Sequence, residues 1–203
     1  SECLVGSEMC IRDRKYITFF ASKGCTLFNM GADEYGNDVN KTPHFYDIVS
    51  SGEYESYIAH INAVASMVGN AGMTPMAFND GIYYNKQTRY GTINQNIIVC
   101  YWSSGWNGYD VAPAHWLSSQ GFKLVNTHGD YYWIVGDKKC SASTASGFDI
   151  KTFPAKEGDT STIENPSGAM FCIWSDTPGA EDDTAVATDT ASVISAFGGT
   201  LPK

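Results

Sequence analysis

The sequence lacks the features that would place the chain in a membrane or on nucleic acid. No apolar run approaches the roughly 20 residues that a helix needs to cross a bilayer. Basic residues are scarce, with 13 Lys and Arg against 22 Asp and Glu, and the formal net charge is −9. Because binding to a phosphate backbone favours basic patches, we expect no nucleic-acid partner.

Signatures of metal, disulfide and nucleotide sites are missing as well. None of the six cysteines forms a C-x-x-C pair, and no histidine lies at metal-ligand spacing from one. Neither a G-x-G-x-x-G nor a G-x-x-x-x-G-K-[ST] loop is present. We therefore expect no zinc site, no disulfide framework and no cofactor. Cys25, Cys100 and Cys172 lie in apolar runs, which predicts buried free thiols.

What the chain does contain is a globular composition rich in aromatic side chains. Of its 203 residues, 43% are hydrophobic, 13% aromatic and 17% charged, enough for one domain with a sizeable core. The stretch "LVGSEMCIRDR", Leu4 to Arg14, resembles a translated sequencing-library adaptor. We therefore treat residues 1–14 as an artefactual segment and assign the fold to residues 15–203.

Strand-like runs alternate with helical periodicity along the rest of the chain. Helices are predicted for "KYITFFASKG", "GEYESYIAHINAVASMVGNAG", "PAHWLSSQG" and "TAVATDTASVISAFGG". The second of these should bury one face, made of Tyr57, Ile58, Ile61, Val64, Ala65 and Val68. Strands are predicted for "CTLFNMG", "TPMAFND", "NIIVCYW", "FKLVNTH" and "GAMFCIWSD". Leu27, Phe28 and Met30 of the first strand are expected to be buried.

Each predicted strand runs into acidic, amide or aromatic residues at its carboxyl end. The ends read "NMGADE", "AFND", "CYWSSGW", "NTHGDYYW" and "CIWSD". Repeated strand–helix units favour parallel strands, and in a (β/α)8 barrel the carboxyl ends of the strands form the active site. We predict an α/β fold that is part of a TIM barrel, roughly strands 4 to 8 with their helices. A doubly wound open sheet is the alternative.

Five motifs resemble glycoside hydrolase family 20, the β-N-acetylhexosaminidases, in order and in spacing. They are "FNMGADEYGND", "TPMAFNDGIYYN", "YWSSGWNGYDVA", "GFKLVNTHGDYYWIVG" and "IWSDTPGAE". The resemblance runs from Lys15 to the C-terminus and is strongest to bacterial surface exo-β-N-acetylglucosaminidases that trim N-glycans. It implies retaining hydrolysis without an enzyme nucleophile, because the acetamido oxygen of the substrate attacks the anomeric carbon and forms an oxazolinium ion.

The resemblance assigns the reacting groups by position in these motifs. It implies that Glu34 is the general acid/base and that Asp33 holds the acetamido N–H. Tyr132 corresponds to the tyrosine that bonds the acetamido oxygen, and Tyr131 is the alternative if the register shifts by one residue. Neighbours on an ideal strand point to opposite faces, so both acids can enter one pocket only if the chain turns there. A solvated acidic turn is the alternative interpretation of this pair.

The same motifs imply a set of sugar-binding residues. Trp174 corresponds to the floor under the sugar ring, and Asp176 to the acid that binds ring hydroxyls. The remaining residues implied to bind substrate are Trp102, Trp106, Asn79 and Asp80. Core packing is an equal alternative for Trp102, because tryptophan is usually mostly buried. His128 is interpreted as a supporting or loop residue near the site, and a catalytic role is the alternative.

The resemblance also implies the partner and the location. The expected substrate is a glycan with a terminal β-linked N-acetylhexosamine, N-acetylglucosamine above all, and the expected location is extracellular or at the surface of a bacterium. The family's first-strand arginine has no counterpart in residues 15–203. We therefore expect residues 1–203 to be inactive on their own. A barrel that binds amino sugars without turnover is the alternative to an enzyme.

Overall fold

One five-stranded parallel sheet organises the protein. The computed structural model describes residues 7–35, 49–106, 109–137 and 139–202, with side chains from Arg12 onward. The sheet consists of β1 (Leu27–Asn29), β2 (Thr74–Phe78), β3 (Ile98–Tyr101), β4 (Leu124–Asn126) and β6 (Gly168–Ala169), in that order. A separate parallel pair is formed by β5 (Tyr132–Ile134) and β7 (Cys172–Trp174).

The strand order distinguishes a barrel from a doubly wound sheet. Each strand of the five-stranded sheet is added on the same side of the one before it, and the order never reverses. A doubly wound sheet reverses its order at a switch point, whereas a barrel adds strands in one direction. The predicted partial (β/α)8 barrel is therefore confirmed, and the doubly wound alternative is wrong.

All five predicted strands are present, but the last one divides. β6 pairs with β4, Val125 lying opposite Gly168, whereas β7 pairs with β5, Trp133 lying opposite Ile173. The run "GAMFCIWSD" therefore changes its partner at residues 170–171. β5 was not predicted as a strand, because its three residues closely follow β4 and were interpreted as part of the end of that strand.

The predicted burial of the first strand is wrong in part. Leu27 is 51% exposed, and Cys25, expected to be a buried thiol, is exposed as well. β1 is an end strand of the sheet, with β2 as its only neighbour among the described residues. Cys25 precedes β1 and donates its N–H to the Phe20 carbonyl, so it belongs to the end of the preceding helix. By contrast, Cys100 is buried and Cys172 partly buried.

Five helices are described, and four of them match predicted segments. They are α1 (Ser7–Ser22), α2 (Glu53–Asn70), α3 (Ala114–Ser119), α4 (Ala142–Ala145) and α5 (Asp183–Gly199). α1 begins within the segment that the sequence analysis set aside, and the boundary at residue 15 stays a prediction. α4 was missed because it has a single turn. Within the described ranges, no helix is both long and apolar enough to cross a bilayer.

Two apolar layers lie on opposite faces of the sheet. The predicted face of α2 is buried in full, and it packs with Ala77, Val99 and Leu124. Their neighbours along the strands, Phe78, Cys100 and Val125, belong to a different cluster that also contacts Trp102 and Trp174. Because successive side chains on a strand alternate in direction, one set faces the helices and the other the barrel interior. This second layer forms the base of the candidate site.

The end of α2 is a Schellman motif. The Met73 N–H donates to the Val68 carbonyl at 3.2 Å, and the Gly72 N–H donates to the Gly69 carbonyl at 3.0 Å. Gly72 has φ +82°, a left-handed conformation in which a side chain is strained. An ideal Cβ at either Gly72 or Gly69 would meet no heavy atom within 4 Å. The two glycines therefore differ in backbone conformation and not in packing.

We predict opposite effects for alanine at these two positions. Gly72→Ala should lower the free energy of unfolding by about 1–2 kcal/mol, the cost of a left-handed L-residue. Gly69→Ala should raise it by about 0.5–1 kcal/mol, because glycine is a poor residue inside a helix. Urea unfolding of both variants beside the unaltered protein measures the difference. Shifts of the same sign in the two variants would contradict this account of the helix end.

Candidate active site

A cavity of about 170 Å³ opens at the carboxyl ends of the strands. Six of the residues singled out from the sequence line it: Asp33, Glu34, Trp102, Tyr132, Trp174 and Asp176. They come from the ends of β1, β3 and β7 and from β5, four segments spread over more than 140 residues of sequence. The structure therefore brings together the acids, the tyrosine and two tryptophans around one cavity.

A left-handed turn directs both acids into this cavity. After β1 ends at Asn29, Gly31, Ala32 and Glu34 have φ of +74°, +73° and +52°. Positive φ is uncommon for residues other than glycine, and it departs from the extended geometry that sends neighbours to opposite faces. Asp33 is partly buried and Glu34 is exposed at the cavity. Gly36, Asn37 and Asp38, the end of the first family motif, lie outside the described residues.

Asn79 and Asp80 lie behind the cavity wall and not on it. Both are fully buried, and neither lines the cavity. Asn79 Oδ1 accepts the Trp102 backbone N–H at 2.8 Å, and Asn79 Nδ2 donates to the Ser103 carbonyl at 2.7 Å. Asp80 Oδ1 accepts the Trp102 indole N–H at 2.9 Å. These residues were predicted to contact sugar, but their polar groups are used to fix the protein itself.

Two of the three tryptophans singled out from the sequence line the cavity. Trp174 lines the cavity and packs against Phe78, with ring centroids 5.5 Å apart. Trp102 lines the cavity from the side and is half-buried, so it is not simply a core residue. Trp106 does not line the cavity, and its ring stacks on Tyr109 at 4.4 Å and lies 5.8 Å from Trp102. Trp106 therefore supports Trp102 from outside.

The two neighbouring tyrosines have different surroundings. Tyr132 lines the cavity as the first residue of β5. The Tyr131 ring packs edge-to-face against Phe148 at 5.1 Å, and its hydroxyl donates to the Gly147 carbonyl at 3.4 Å. The alternation along the strand thus sends Tyr132 to the cavity and Tyr131 to the neighbouring apolar cluster.

Five other residues complete the lining: Phe78, Thr127, Gly129, Ile134 and Cys172. Of these, only Cys172 was named in the sequence analysis, as a buried thiol and not as a residue of the site. A Cβ at Gly129 would lie 2.9 Å from the Trp102 carbonyl oxygen, so a glycine is needed for this close approach. Burial raises the pKa of Cys172 to about 11, and its thiol is therefore protonated and poorly nucleophilic near neutral pH.

Two further features bear on the chemistry of the site. His128 lies outside the cavity, where its Nδ1 accepts the Asp130 backbone N–H at 3.2 Å. In the part of the chain that the structure describes, no three His, Cys, Asp or Glu side chains converge as metal ligands. The groups that can donate or accept protons at the cavity are thus chiefly the carboxylates of Asp33, Glu34 and Asp176 and the Tyr132 phenol.

Comparison with solved structures extends this picture, although no protein-family model matches the chain. The chain is similar to a tandem GH20 catalytic module of the pneumococcal exo-β-D-N-acetylglucosaminidase StrH, with 31% identity and a TM-score of 0.81 over 93% of this chain and 47% of that one. A second StrH structure gives 31% identity and a TM-score of 0.80, covering 92% of this chain and 46% of that one. Dispersin B, at 19% identity, a TM-score of 0.65 and coverage of 92% and 59%, shares the fold.

The fold and the cavity define a segment of a (β/α)8 barrel with a cavity at the carboxyl ends of the strands. The chain is similar to the catalytic modules of glycoside hydrolase family 20, and the resemblance seen in the five sequence motifs is confirmed. It spans about half the length of the StrH chains that it matches.

Proposed function

We propose that this chain is the acid-bearing part of a retaining exo-β-N-acetylhexosaminidase that removes terminal N-acetylglucosamine from glycans. One observation carries the proposal: Asp33 and Glu34, neighbours in sequence, line a single cavity together with Tyr132 and Trp174. A solvated acidic turn would not need this convergence. The name of the StrH relative, an exo-β-D-N-acetylglucosaminidase, supports the choice of sugar.

In the first step, the substrate's acetamido oxygen attacks the anomeric carbon. Asp33 accepts the acetamido N–H and offsets the positive charge that develops there, while the Tyr132 hydroxyl donates to the acetamido oxygen and orients it. Glu34 gives its proton to the glycosidic oxygen as the bond to the leaving group breaks. The products of this step are the free aglycone alcohol and an oxazolinium ion held in the cavity.

In the second step, water opens the oxazolinium ion at the anomeric carbon. Glu34, now a carboxylate, takes a proton from the water as its oxygen bonds to carbon. The acetamido group is regenerated, and two inversions at the same carbon give net retention. The same residue thus serves as acid and then as base, and the enzyme supplies no nucleophile of its own.

The walls of the cavity suit one terminal sugar. Its volume of about 170 Å³ lies below the roughly 300–1,000 Å³ typical of sites for drug-sized ligands, as expected for a single ring. The apolar face of Trp174 would pack under the axial C–H groups of a pyranose, and Asp176 at the rim would bind its hydroxyls. Trp102 would close the side of the pocket.

We infer a location outside the cell, at a bacterial surface, because the expected substrates are glycans and the StrH relative is named as a pneumococcal virulence factor with N-glycan recognition. The alternative function, binding of amino sugars without turnover, predicts affinity for N-acetylglucosamine with no hydrolysis. Titration calorimetry beside a hydrolysis assay separates the two, both done on a chain that contains a whole barrel, which we call the full-length protein.

Glu34→Gln in the full-length protein should lose turnover selectively. We expect kcat/KM for an alkyl N-acetylglucosaminide, which reports the first step, to fall about 10²–10⁴-fold, because a poor leaving group needs the proton of a general acid. With a dinitrophenyl N-acetylglucosaminide the loss of kcat/KM should be much smaller, since this leaving group departs without protonation. Steady-state kinetics with both substrates measures the two losses.

The matched control for this change is Glu164→Gln. Glu164 is an exposed carboxylate that pairs with Lys151 at 2.9 Å and does not line the cavity. Its replacement should leave both rates unchanged. Equal losses in Glu34→Gln for good and poor leaving groups would argue against Glu34 as the acid.

Asp33→Asn and Tyr132→Phe should both impair formation of the oxazolinium ion. The reason is that the acetamido group must be held at its N–H and at its oxygen for the attack to be in line. A thiazoline analogue of the intermediate should inhibit the unaltered protein and bind both variants more weakly, as inhibition constants will show. Tyr131→Phe is the control, and a severe effect there with a silent Tyr132→Phe would move the assignment by one residue.

Residues 1–203 expressed alone should show no hexosaminidase activity. Five strands cannot close a barrel, because closure sets strand number, tilt and shear together. Leu27 on the end strand β1 and Ile173 on β7 are 51% and 41% exposed, so we also expect self-association. Hydrolysis of a chromogenic N-acetylglucosaminide and size-exclusion chromatography test both points, and an active monomer would contradict them.

A further inference from the structure

We propose that Asp80 and Tyr57 are positioning residues that hold the turn carrying Asp33 and Glu34. We call these two side chains the turn clamp. The proposal rests on the proposed function in one respect, since it gives the clamp a role in placing the catalytic acid. The effect of the turn clamp on the backbone conformation of the turn can be tested without measuring activity.

Asp80 ties the acid to the cavity wall through two hydrogen bonds. Its Oδ2 accepts the Glu34 backbone N–H at 2.6 Å, and its Oδ1 accepts the Trp102 indole N–H at 2.9 Å. The short first distance is typical of a strong bond to a charged acceptor. One fully buried carboxylate thus links the general acid to the tryptophan on the side of the pocket.

The choice of aspartate follows from the two donors that converge on it. A carboxylate accepts at both oxygens, whereas an asparagine of the same shape must turn an NH₂ group toward one of the two N–H donors. Burial of this carboxylate is unfavourable and raises the pKa of Asp80 to about 6, an effect that the nearby Asp33 reinforces. The unfavourable burial of this charge is offset by the two hydrogen bonds that its oxygens accept, from the Glu34 backbone N–H and the Trp102 indole N–H.

Tyr57 holds the other side of the same turn. Its hydroxyl donates to the Ala32 carbonyl at 2.7 Å from the buried face of α2. The residue after Asp80 is Gly81, and a Cβ there would lie 2.1 Å from the Tyr57 hydroxyl oxygen. The pair Asp80–Gly81 therefore serves both halves of the clamp, since Asp80 supplies one bond and Gly81 leaves room for the phenol that makes the other.

The turn needs such support because its backbone is strained. Ala32 and Glu34 are L-residues at φ +73° and +52°. The turn clamp forms its hydrogen bonds with these same two residues, at the Ala32 carbonyl and the Glu34 N–H. Strained conformations of this kind persist only when the surrounding structure determines them. Without the clamp, the turn should relax toward negative φ. The side chains of Asp33 and Glu34 would then no longer share the cavity.

The test compares Asp80→Asn and Tyr57→Phe with the unaltered full-length protein. We expect kcat/KM for an alkyl N-acetylglucosaminide to fall at least about tenfold in each variant, and kcat/KM for the dinitrophenyl substrate to fall less, because a misplaced acid affects the poorer leaving group more. KM should change less than kcat. Asp189→Asn and Tyr16→Phe, at exposed positions on α5 and α1, are the matched controls and should be silent.

Crystal structures of both variants give a reading that does not depend on activity. We expect the φ of Glu34 to leave the left-handed region and the indole of Trp102 to shift in Asp80→Asn. Unchanged φ at Glu34 in both variants would overturn the proposal, and so would equal losses of kcat/KM for both substrates. If Asp80→Asn does not fold, the gentler Tyr57→Phe decides. If the unaltered protein had no hydrolase activity, the proposed function would be refuted. The turn clamp would still be tested by the φ of Glu34 in the variant structures.

Discussion

Two carboxylates that are adjacent in sequence can serve one cavity only if the chain between them leaves the extended conformation, because a strand sends its neighbouring side chains to opposite faces. In this protein the constraint is met just beyond β1, where Ala32 and Glu34 take left-handed backbone angles. The other elements of the site follow from it. The buried Asp80 follows the end of strand β2, and Tyr57 lies on helix α2. Both side chains form hydrogen bonds with the turn.

In the candidate site, the side chains that face the cavity differ from the buried side chains that fix their positions. Trp102 illustrates the division, since its ring lines the cavity while its backbone and indole N–H groups are bonded to Asn79 and Asp80 behind it. A buried polar group is stable only when its hydrogen bonds are satisfied, and these two side chains are satisfied by parts of the site. The hydrogen bonds that satisfy these two buried side chains therefore also hold Trp102 in place at the cavity.

The sequence predicted the barrel segment, the five strands of the main sheet and the buried face of α2, because hydrophobic periodicity and turn residues are local signals. It did not predict exposure at Leu27 and Cys25, because burial at the end of a sheet depends on which strands are neighbours. The sequence also did not predict that Asn79 and Asp80 lie behind the cavity lining. The motif around Asn79 indicates a strand end, but only the packed structure distinguishes a cavity wall from the layer behind it.

The change of partner in the last strand has a consequence for how this site can diversify. β7 pairs with β5 and not with β4, so Tyr132 and Trp174 lie on a single two-stranded ribbon, with Tyr132 opposite Cys172 and Ile134 opposite Trp174. A substitution that slides or tilts this ribbon displaces both side chains at once. Under the proposed function, adaptation to a bulkier N-acyl group at Tyr132 and adaptation to a different sugar ring at Trp174 are thus mechanically joined, and an evolving lineage would have to change them together.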